Sequence, residues 1–376
     1  MPNRAAPTAF EFFCGGGLAG LGLEAGGRGF RIGFANDLDQ AKARAFAANH
    51  PAVPLAVGDV WGLTPADLPG RPNLCWASSP CQDLSLAGAR GGLEARRSGA
   101  FWGFWRLMQG LDAEGRGPAV VVIENVVGLL TSGGGADFAA VCAAMAEAGY
   151  RVGALEMDAA HWLPQSRPRL FIVAMRGKGQ APQAPAPLAP FHSSRLVAAQ
   201  ARLPQAVRAA WAWWKMPPPP RRNSDLADLL EPDEAVTWLS PEGGRAVLSL
   251  AAPLHRARIE AALTKGRRVV GAGFRRVRRE GQAKAQRLEV RFDGLAGCLR
   301  TPAGGSSRQY VIVCERGETR VRRLTGRECA RLMGLPKDYA LPASETAALK
   351  LMGDAVAVPV VRALTEGLLR PAARAD

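Results

Sequence analysis

Phe12-Phe13-Cys14-Gly15-Gly16-Gly17-Leu18-Ala19-Gly20-Leu21 reads as a strand that leaves through glycines into a helix. Glycines let the backbone approach a ligand closely, and a helix N-terminus favours a polar or anionic group. The spacing is not the dinucleotide fingerprint, because it fails at the third glycine and beyond. Outward from this turn, Asn36-Asp37 closes a second apolar run with an acid suited to ribose hydroxyls. Gly58-Asp59-Val60 closes a third, where a carboxylate can accept from an adenine amino group. Each Asp alone fits a helix cap or turn equally well. A glycine turn, an acid and an acid at three consecutive strand ends describe an adenosyl-cofactor site.

The same alternation extends across the first half of the chain. Strands are expected at Ala9–Phe13, Arg31–Ala35, Leu55–Val57, Asn73–Ala77, Ala119–Ile123, Arg151–Met157 and Leu170–Met175. Helices are expected at Gln40–Asn49, Gly99–Asp112 and Asp137–Ala148. Such spacing implies an α/β fold with a mostly parallel sheet covered on both faces. About a dozen residues without a clear helix separate the last two strands, so one is expected to run antiparallel.

After Arg176 the texture changes. Residues 177–190 and Met216–Pro220 are stiff, Pro-rich connectors, and Trp211-Ala212-Trp213-Trp214 between them is read as an anchor rather than a base-stacking surface. The 376 residues carry a formal net charge of +15. From Arg256 to Arg300 there are thirteen Arg or Lys against four Asp or Glu, a local +9. A uniformly solvated surface predicts no such concentration, so a nucleic-acid-facing module is expected. Past Thr319, helices are expected at Arg327–Met333, Ala343–Met352 and Val356–Leu369, the last packing back onto the first domain. Seven scattered Cys and four dispersed His argue against a zinc site or a disulfide framework and for a reducing cytoplasm. No N-terminal apolar stretch reaches secretory or membrane-spanning length, so no membrane partner is expected.

Two strand ends carry reactive groups. Trp76-Ala77-Ser78-Ser79-Pro80-Cys81-Gln82 presents a thiol, and Val120–Ile123 runs into Glu124-Asn125-Val126. A thiolate that adds to an electron-poor ring, with an acid at the ring atom that gains electron density, suits this pair. Gln165-Ser166-Arg167-Pro168-Arg169 follows, then Arg327–Gly334 and Gly353-Asp354-Ala355-Val356.

In that order and combination the chain closely resembles the cytosine-5 DNA methyltransferases of bacterial restriction-modification systems and solitary bacterial methylases, over residues about 8–176 and 320–370. The resemblance implies a Rossmann-like sheet that uses S-adenosyl-L-methionine, yielding S-adenosyl-L-homocysteine, with an inserted smaller target-recognition domain. Residues 1–180 would be the first part of the catalytic and cofactor-binding domain, 181–320 the target-recognition domain, and 321–376 the segment completing the catalytic domain. Cys81 would add to C6 of cytosine, Glu124 would engage N3 and the exocyclic amine, Arg169 would bind the O2 side, and Arg167 would support the site. Asn125 would brace the cysteine loop. The cofactor would meet Phe13, Gly15, Gly17, Asp37, Asp59, Val60, Pro80, Asp354 and Val356. DNA would meet Gln82, Ser85, Arg267, Arg268, Arg275, Arg276, Arg278, Arg279, Ser307 and Arg308.

The partner implied is double-stranded DNA, with a cognate restriction endonuclease acting separately and the enzyme itself a monomer at the nucleoid in the cytoplasm. A tRNA cytosine-5 methyltransferase and a catalytically inactive DNA-binding regulator are the alternatives. The basic insertion of about 140 residues disfavours the first, and intact Cys81, Glu124 and Arg169 disfavour the second. Departures from the family pattern are Glu11 for Asp, Leu18 for Gly, Leu38 for an aromatic, Ser78-Ser79 for Gly-Phe and Asp354 for Asn.

Overall fold

The computed structural model describes residues 6–80, 99–177, 181–280, 283–302 and 308–373. The chain forms two compact units. The first takes Met1–Asp158, Pro168–Pro218 and Val360–Asp376; the second takes Ala159–Arg167 and Pro219–Pro359. The C-terminal segment expected to complete the catalytic domain is therefore divided, with its residues up to Pro359 in the second unit. From Val360 onward it packs with the first.

The first unit is built on β1 (Thr8–Phe12), β2 (Arg31–Asp37), β3 (Leu55–Val57), β4 (Leu74–Ala77), β5 (Val120–Val126), β6 (Arg151–Asp158) and β7 (Pro168–Met175). Their order in the sheet is β3-β2-β1-β4-β5-β7-β6. The pairs from β3 to β5 are parallel, and β7 runs antiparallel to both β5 and β6. The expected reversal thus falls on the last strand. All of β4 and the first six residues of β5 are buried, as a sheet covered on both faces requires. Strand order reverses between β1 and β4, which opens a crevice at the carboxyl ends of those strands.

The helix Gln40–Asn49 starts where Asp39 accepts from the Ala41 and Lys42 N–H groups, at 2.7 and 3.2 Å. Helix Ala100–Ala113 buries Phe101, Phe104, Trp105, Leu107, Met108 and Leu111. Val127–Glu147 has the length and composition to cross a membrane. Its backbone, however, leaves helical geometry at Ser132–Gly134, and Phe138, Val141, Cys142 and Met145 belong to the first unit's core. That is the signature of a core element. The tryptophan cluster supplies one strand of the short pair β8 (Gln183–Ala184) and β9 (Trp213–Trp214): Trp214 Nε1 donates to the Val173 carbonyl of β7 at 3.0 Å, and Trp211 meets Phe138 edge-on. It anchors the chain to the sheet of the first unit.

The second unit holds an antiparallel sheet, β11-β10-β12-β13, formed by β10 (Val269–Glu280), β11 (Ala283–Arg291), β12 (Tyr310–Glu315) and β13 (Glu318–Arg323). Its inward face is Val269, Leu288, Val290, Tyr310, Ile312, Cys314 and Val321. Beneath it Arg322 and Glu328, 1% and 0% exposed, form a bidentate ion pair at 2.6 and 2.8 Å. Glu328 also accepts from the backbone N–H of Glu231 and Thr325, completing a capping box on helix Gly326–Leu332. The final expected helix is interrupted. Val358–Leu364 passes into a π turn at Thr365–Leu369, where the Thr365 hydroxyl donates to the Val361 carbonyl at 2.8 Å.

Candidate active site

The glycine turn is fixed from two sides. Phe13, Gly15 and Gly17 have φ of 57°, 55° and 80°, so the chain folds back at once on leaving β1. The Cys14 N–H donates to the Asn36 carbonyl at 3.0 Å, and the Gly15 N–H donates to Asp37 Oδ2 at 2.8 Å. Asp37 Oδ1 accepts from the Asp39 N–H, also at 2.8 Å. Both carboxylate oxygens are thereby oriented by backbone donors before any ligand arrives. Asn36 Nδ2 donates to the carbonyls of Ala56 and Gly58 at 3.0 Å each, tying β2 to the end of β3. Asp59 caps the next turn by accepting from the Trp61 N–H at 3.0 Å, with Val60 buried beside it. A Cβ at Gly15 or at Gly58 would meet no atom within 4 Å, so both strand ends face open space. Leu38 is 67% exposed next to Asp37.

Two buried titratable residues pack under this turn. The His50 ring lies tilted against Phe46 with centroids 4.7 Å apart, and a Cβ on Gly17 would come within 2.4 Å of its Nε2. Burial lowers its pKa, which favours the neutral ring. Glu11 is 1% exposed, and a Cβ on Gly20 would lie 2.5 Å from its Oε2. Burial pushes the Glu11 carboxyl up to about 8, against the opposing pull of the Gly20 and Ala19 backbone groups. Its departure from Asp was visible in the sequence, whereas its burial was not. His50 carried a weaker signal, its spacing of four from Phe46 at the end of a helix.

Further along the sheet edge, Glu124 and Arg169 face each other. Antiparallel pairing puts Val126 opposite Arg169, and Arg169 Nε lies 3.2 Å from Glu124 Oε1, both side chains being largely buried. Asn125 Nδ2 donates to the Ser79 carbonyl at 3.0 Å, which ties the end of β4 to the end of β5 two residues before Cys81. Pro80 follows, exposed. Cys81, Gln82 and Ser85 lie outside the described residues, as does Ser307.

Arg167 is placed differently from Arg169. Its guanidinium donates to the carbonyls of Leu299 at 2.8 Å, Gly353 at 2.9 Å and Ala355, all within the second unit. Gln165, 0% exposed, donates to the Leu332 carbonyl at 2.7 Å and accepts from the Leu299 N–H at 3.2 Å. Both brace the second unit's backbone, so the geometry gives Arg167 a structural part and leaves Arg169 beside the acid. Asp354 ends helix Glu345–Asp354 and accepts from the Thr301 hydroxyl, and Val356 is buried.

The basic residues also divide. Arg268 pairs with Asp233 at 2.8 Å and Glu315 at 3.2 Å. Arg276 and Arg278 both pair with Glu289, and Arg275 lies over the Tyr310 ring at 5.8 Å. Arg308 donates to Thr346 Oγ1 at 2.9 Å. Arg267 and Arg279 are exposed. Among the described residues no cluster of His, Cys, Asp and Glu could hold a metal.

A doubly wound sheet with a glycine turn, two oriented acids and a buried Glu–Arg pair along its carboxyl edge is the framework of an α/β enzyme that binds its ligands at that edge. The family follows from the sequence match. Residues 8–370 fit the model described as C-5 cytosine-specific DNA methylase, and the chain belongs to that family of DNA (cytosine-5-)-methyltransferases. It is 27% identical over 365 residues to the type II methyltransferase M.NgoBI of Neisseria gonorrhoeae, covering 96% of this chain and 93% of that one. It is 24% identical to M.MspI of Moraxella sp, covering 93% of this chain and 68% of the relative. Among solved structures, a DNMT2 variant from Spodoptera frugiperda has the same fold, with a TM-score of 0.62 at 16% identity, covering 96% of this chain and 99% of that one.

Proposed function

We propose that this chain methylates C5 of a cytosine flipped out of a specific duplex DNA sequence, through a covalent bond between Cys81 Sγ and C6. The observation that carries this reading is the Glu124–Arg169 pair at the end of β5, with Asn125 gripping the segment that leads into Cys81. The ring cannot be reached inside a stacked duplex, so the base must leave the helix. Glu124 holds N3 and the exocyclic amine, and Arg169 meets the O2 side while keeping the Glu124 carboxylate in place. As the thiolate adds at C6, electron density moves to C5, which can then take a methyl group. A base removes the C5 proton, and the electron pair re-forms the C5–C6 double bond and expels Cys81. A thiolate suits both addition and departure.

S-adenosylmethionine, when bound, would supply the electrophilic methyl group. The residues suited to hold it are Phe13, Gly15 and Gly17 at the turn, Asp37 for the ribose, and Asp59 and Val60 for the adenine. The open space at Gly15 and Gly58 and the two pre-oriented oxygens of Asp37 support that fit. Pro80, Asp354 and Val356 complete the proposed set. Gln82, Ser85, Arg267, Arg279, Ser307 and Arg308 are the proposed DNA contacts. A cytoplasmic enzyme with a separately acting endonuclease beside it is part of the same proposal.

The test is incubation with methyl-labelled S-adenosylmethionine and either duplex DNA or tRNA, with wild type and Cys81→Ala in parallel. Label in DNA that disappears with Cys81→Ala is expected. Label confined to tRNA, or label in DNA that survives the substitution, overturns the proposal.

A further inference from the structure

The β10–β11 hairpin extends beyond the rest of its sheet. β10 pairs with β12 only from Val269 to Gly273, whereas its pairing with β11 runs on to the end of the strand. From Phe274 onward, among the described residues, the two strands are laddered to each other, with one isolated bridge from Leu288 to Ala251 at the root. Side chains alternate between its faces, and directly opposed residues share one. One face carries Phe274, Arg276, Arg278, Arg287 and Glu289. There Glu289 draws in Arg276 and Arg278, and Arg276 also lies over the Phe274 ring at 4.9 Å. Two of its guanidinium groups are thus held by one carboxylate, which restrains them against the ribbon.

The opposite face carries Arg275–Leu288, Val277–Gln286 and Arg279–Lys284 as successive cross-strand pairs. At the root it is anchored, since Leu288 is fully buried and Arg275 lies over Tyr310. Toward the tip, Val277 is 59% exposed in mid-strand opposite an exposed Gln286. Among the described residues neither Arg279 nor Lys284 has a carboxylate partner. A face with an amide and two methyl groups ahead of two unneutralised cations complements a polyanion that displays base edges. The major groove of a duplex admits a two-stranded ribbon, where an amide can pair with adenine and an apolar side chain can meet the thymine methyl.

Resting on the DNA-methylating reading above, we infer that this face of the ribbon enters the DNA groove: Arg279 and Lys284 grip phosphates, and Val277 and Gln286 help choose the sequence. The Arg276–Arg278–Glu289 face stiffens the arm and points away from the bases.

The test uses the full chain and two duplexes, one holding the methylated sequence found by bisulfite mapping and one scrambled. Affinity is measured by fluorescence anisotropy across salt concentrations. Arg279→Ala/Lys284→Ala is expected to weaken binding to both duplexes and to reduce the slope of log affinity against log salt by about 2, at ~0.9 per phosphate contact. Val277→Ser/Gln286→Ala is expected to keep that slope but cut the preference for the methylated sequence by about tenfold. Arg245→Ala, at the exposed Arg245–Glu242 pair of helix Pro241–Leu248, should change neither quantity appreciably. Wild-type slope in the first variant, or wild-type preference in the second, overturns the inference while leaving DNA methylation by the wild type intact. A wild type that labels no DNA overturns the parent reading as well, and slope loss seen with tRNA but not with duplex DNA assigns the face to a different partner and refutes this one.

Discussion

Replacing Glu11 with Gln should flatten the pH dependence of the first unit's stability. The carboxyl is buried below the glycine turn, and burial raises its pKa from an ordinary 4.5 to about 8. For an acid raised in this way, the folded state holds a proton that the unfolded state has released across the window from 4.5 to about 8. Stability is therefore highest below that window, falls as pH climbs through it, and keeps the full penalty above it. Over the whole window the loss is roughly 5 kcal/mol, and between pH 6 and 8 it is roughly 2 kcal/mol. Gln has nearly the same shape and no charge to bury, so the variant lacks this contribution. Other titratable groups are common to both proteins and cancel in the comparison. Urea unfolding followed by tryptophan fluorescence at pH 6 and pH 8 measures it. The wild type should lose about 2 kcal/mol more than Glu11→Gln. Parallel losses in the two proteins would refute the reasoning, because they would mean that the carboxyl ionises in place at no cost.

Three further outcomes follow from the geometry. Leu38→Trp should tighten S-adenosylmethionine binding about two- to tenfold in a calorimetric titration, since an exposed residue beside Asp37 would gain a ring able to stack on adenine; unchanged affinity would argue against that place for the adenine. Arg322→Met should cost about 3–5 kcal/mol in the second unit's unfolding transition by stranding a buried Glu328, and Arg322→Met/Glu328→Met should recover much of it. Arg169→Met should lower kcat/KM by about a hundredfold or more with little change in the unfolding midpoint, whereas Arg167→Met should lower the midpoint first, having removed donors from three carbonyls; the reverse pattern would exchange the roles of the two arginines.

The parallel half of the fold was legible because its strands are short apolar runs with glycine or acid at their ends. Strand limits read from Arg31–Ala35 and Leu55–Val57 differ from the structure by two residues or none. The antiparallel sheet was not legible. In β10 the consecutive Arg275-Arg276 and Arg278-Arg279 fall on both faces, so the stretch registers as a charge cluster and its period of two is masked. The same cluster hid its own pairing. Arg268, Arg276 and Arg278 are indistinguishable from Arg279 as letters, and only the fold brings Asp233, Glu315 and Glu289 against the first three. The capping box at Thr325 and Glu328 was readable from its spacing of three, although nothing local announces that Glu328 also answers a buried Arg322.

Arg167 and Arg169 show where a linear motif stops being informative. They stand two residues apart, and a strand would turn both to the same face, which invites giving them one role. Arg169 lies within β7, whose antiparallel register against β5 delivers its guanidinium to Glu124. Arg167 lies just before the strand begins, in the Ala159–Arg167 excursion that folds with the second unit. There three backbone carbonyls, from Leu299, Gly353 and Ala355, take up its donors. An arginine whose donors are directed to carbonyls in a dry interior stabilises backbone, whereas one opposite a carboxylate at a strand end fixes that carboxylate's position and charge. The motif therefore joins two physical jobs in five residues, one holding the second unit's loops together and one pairing with Glu124 at the edge of the sheet.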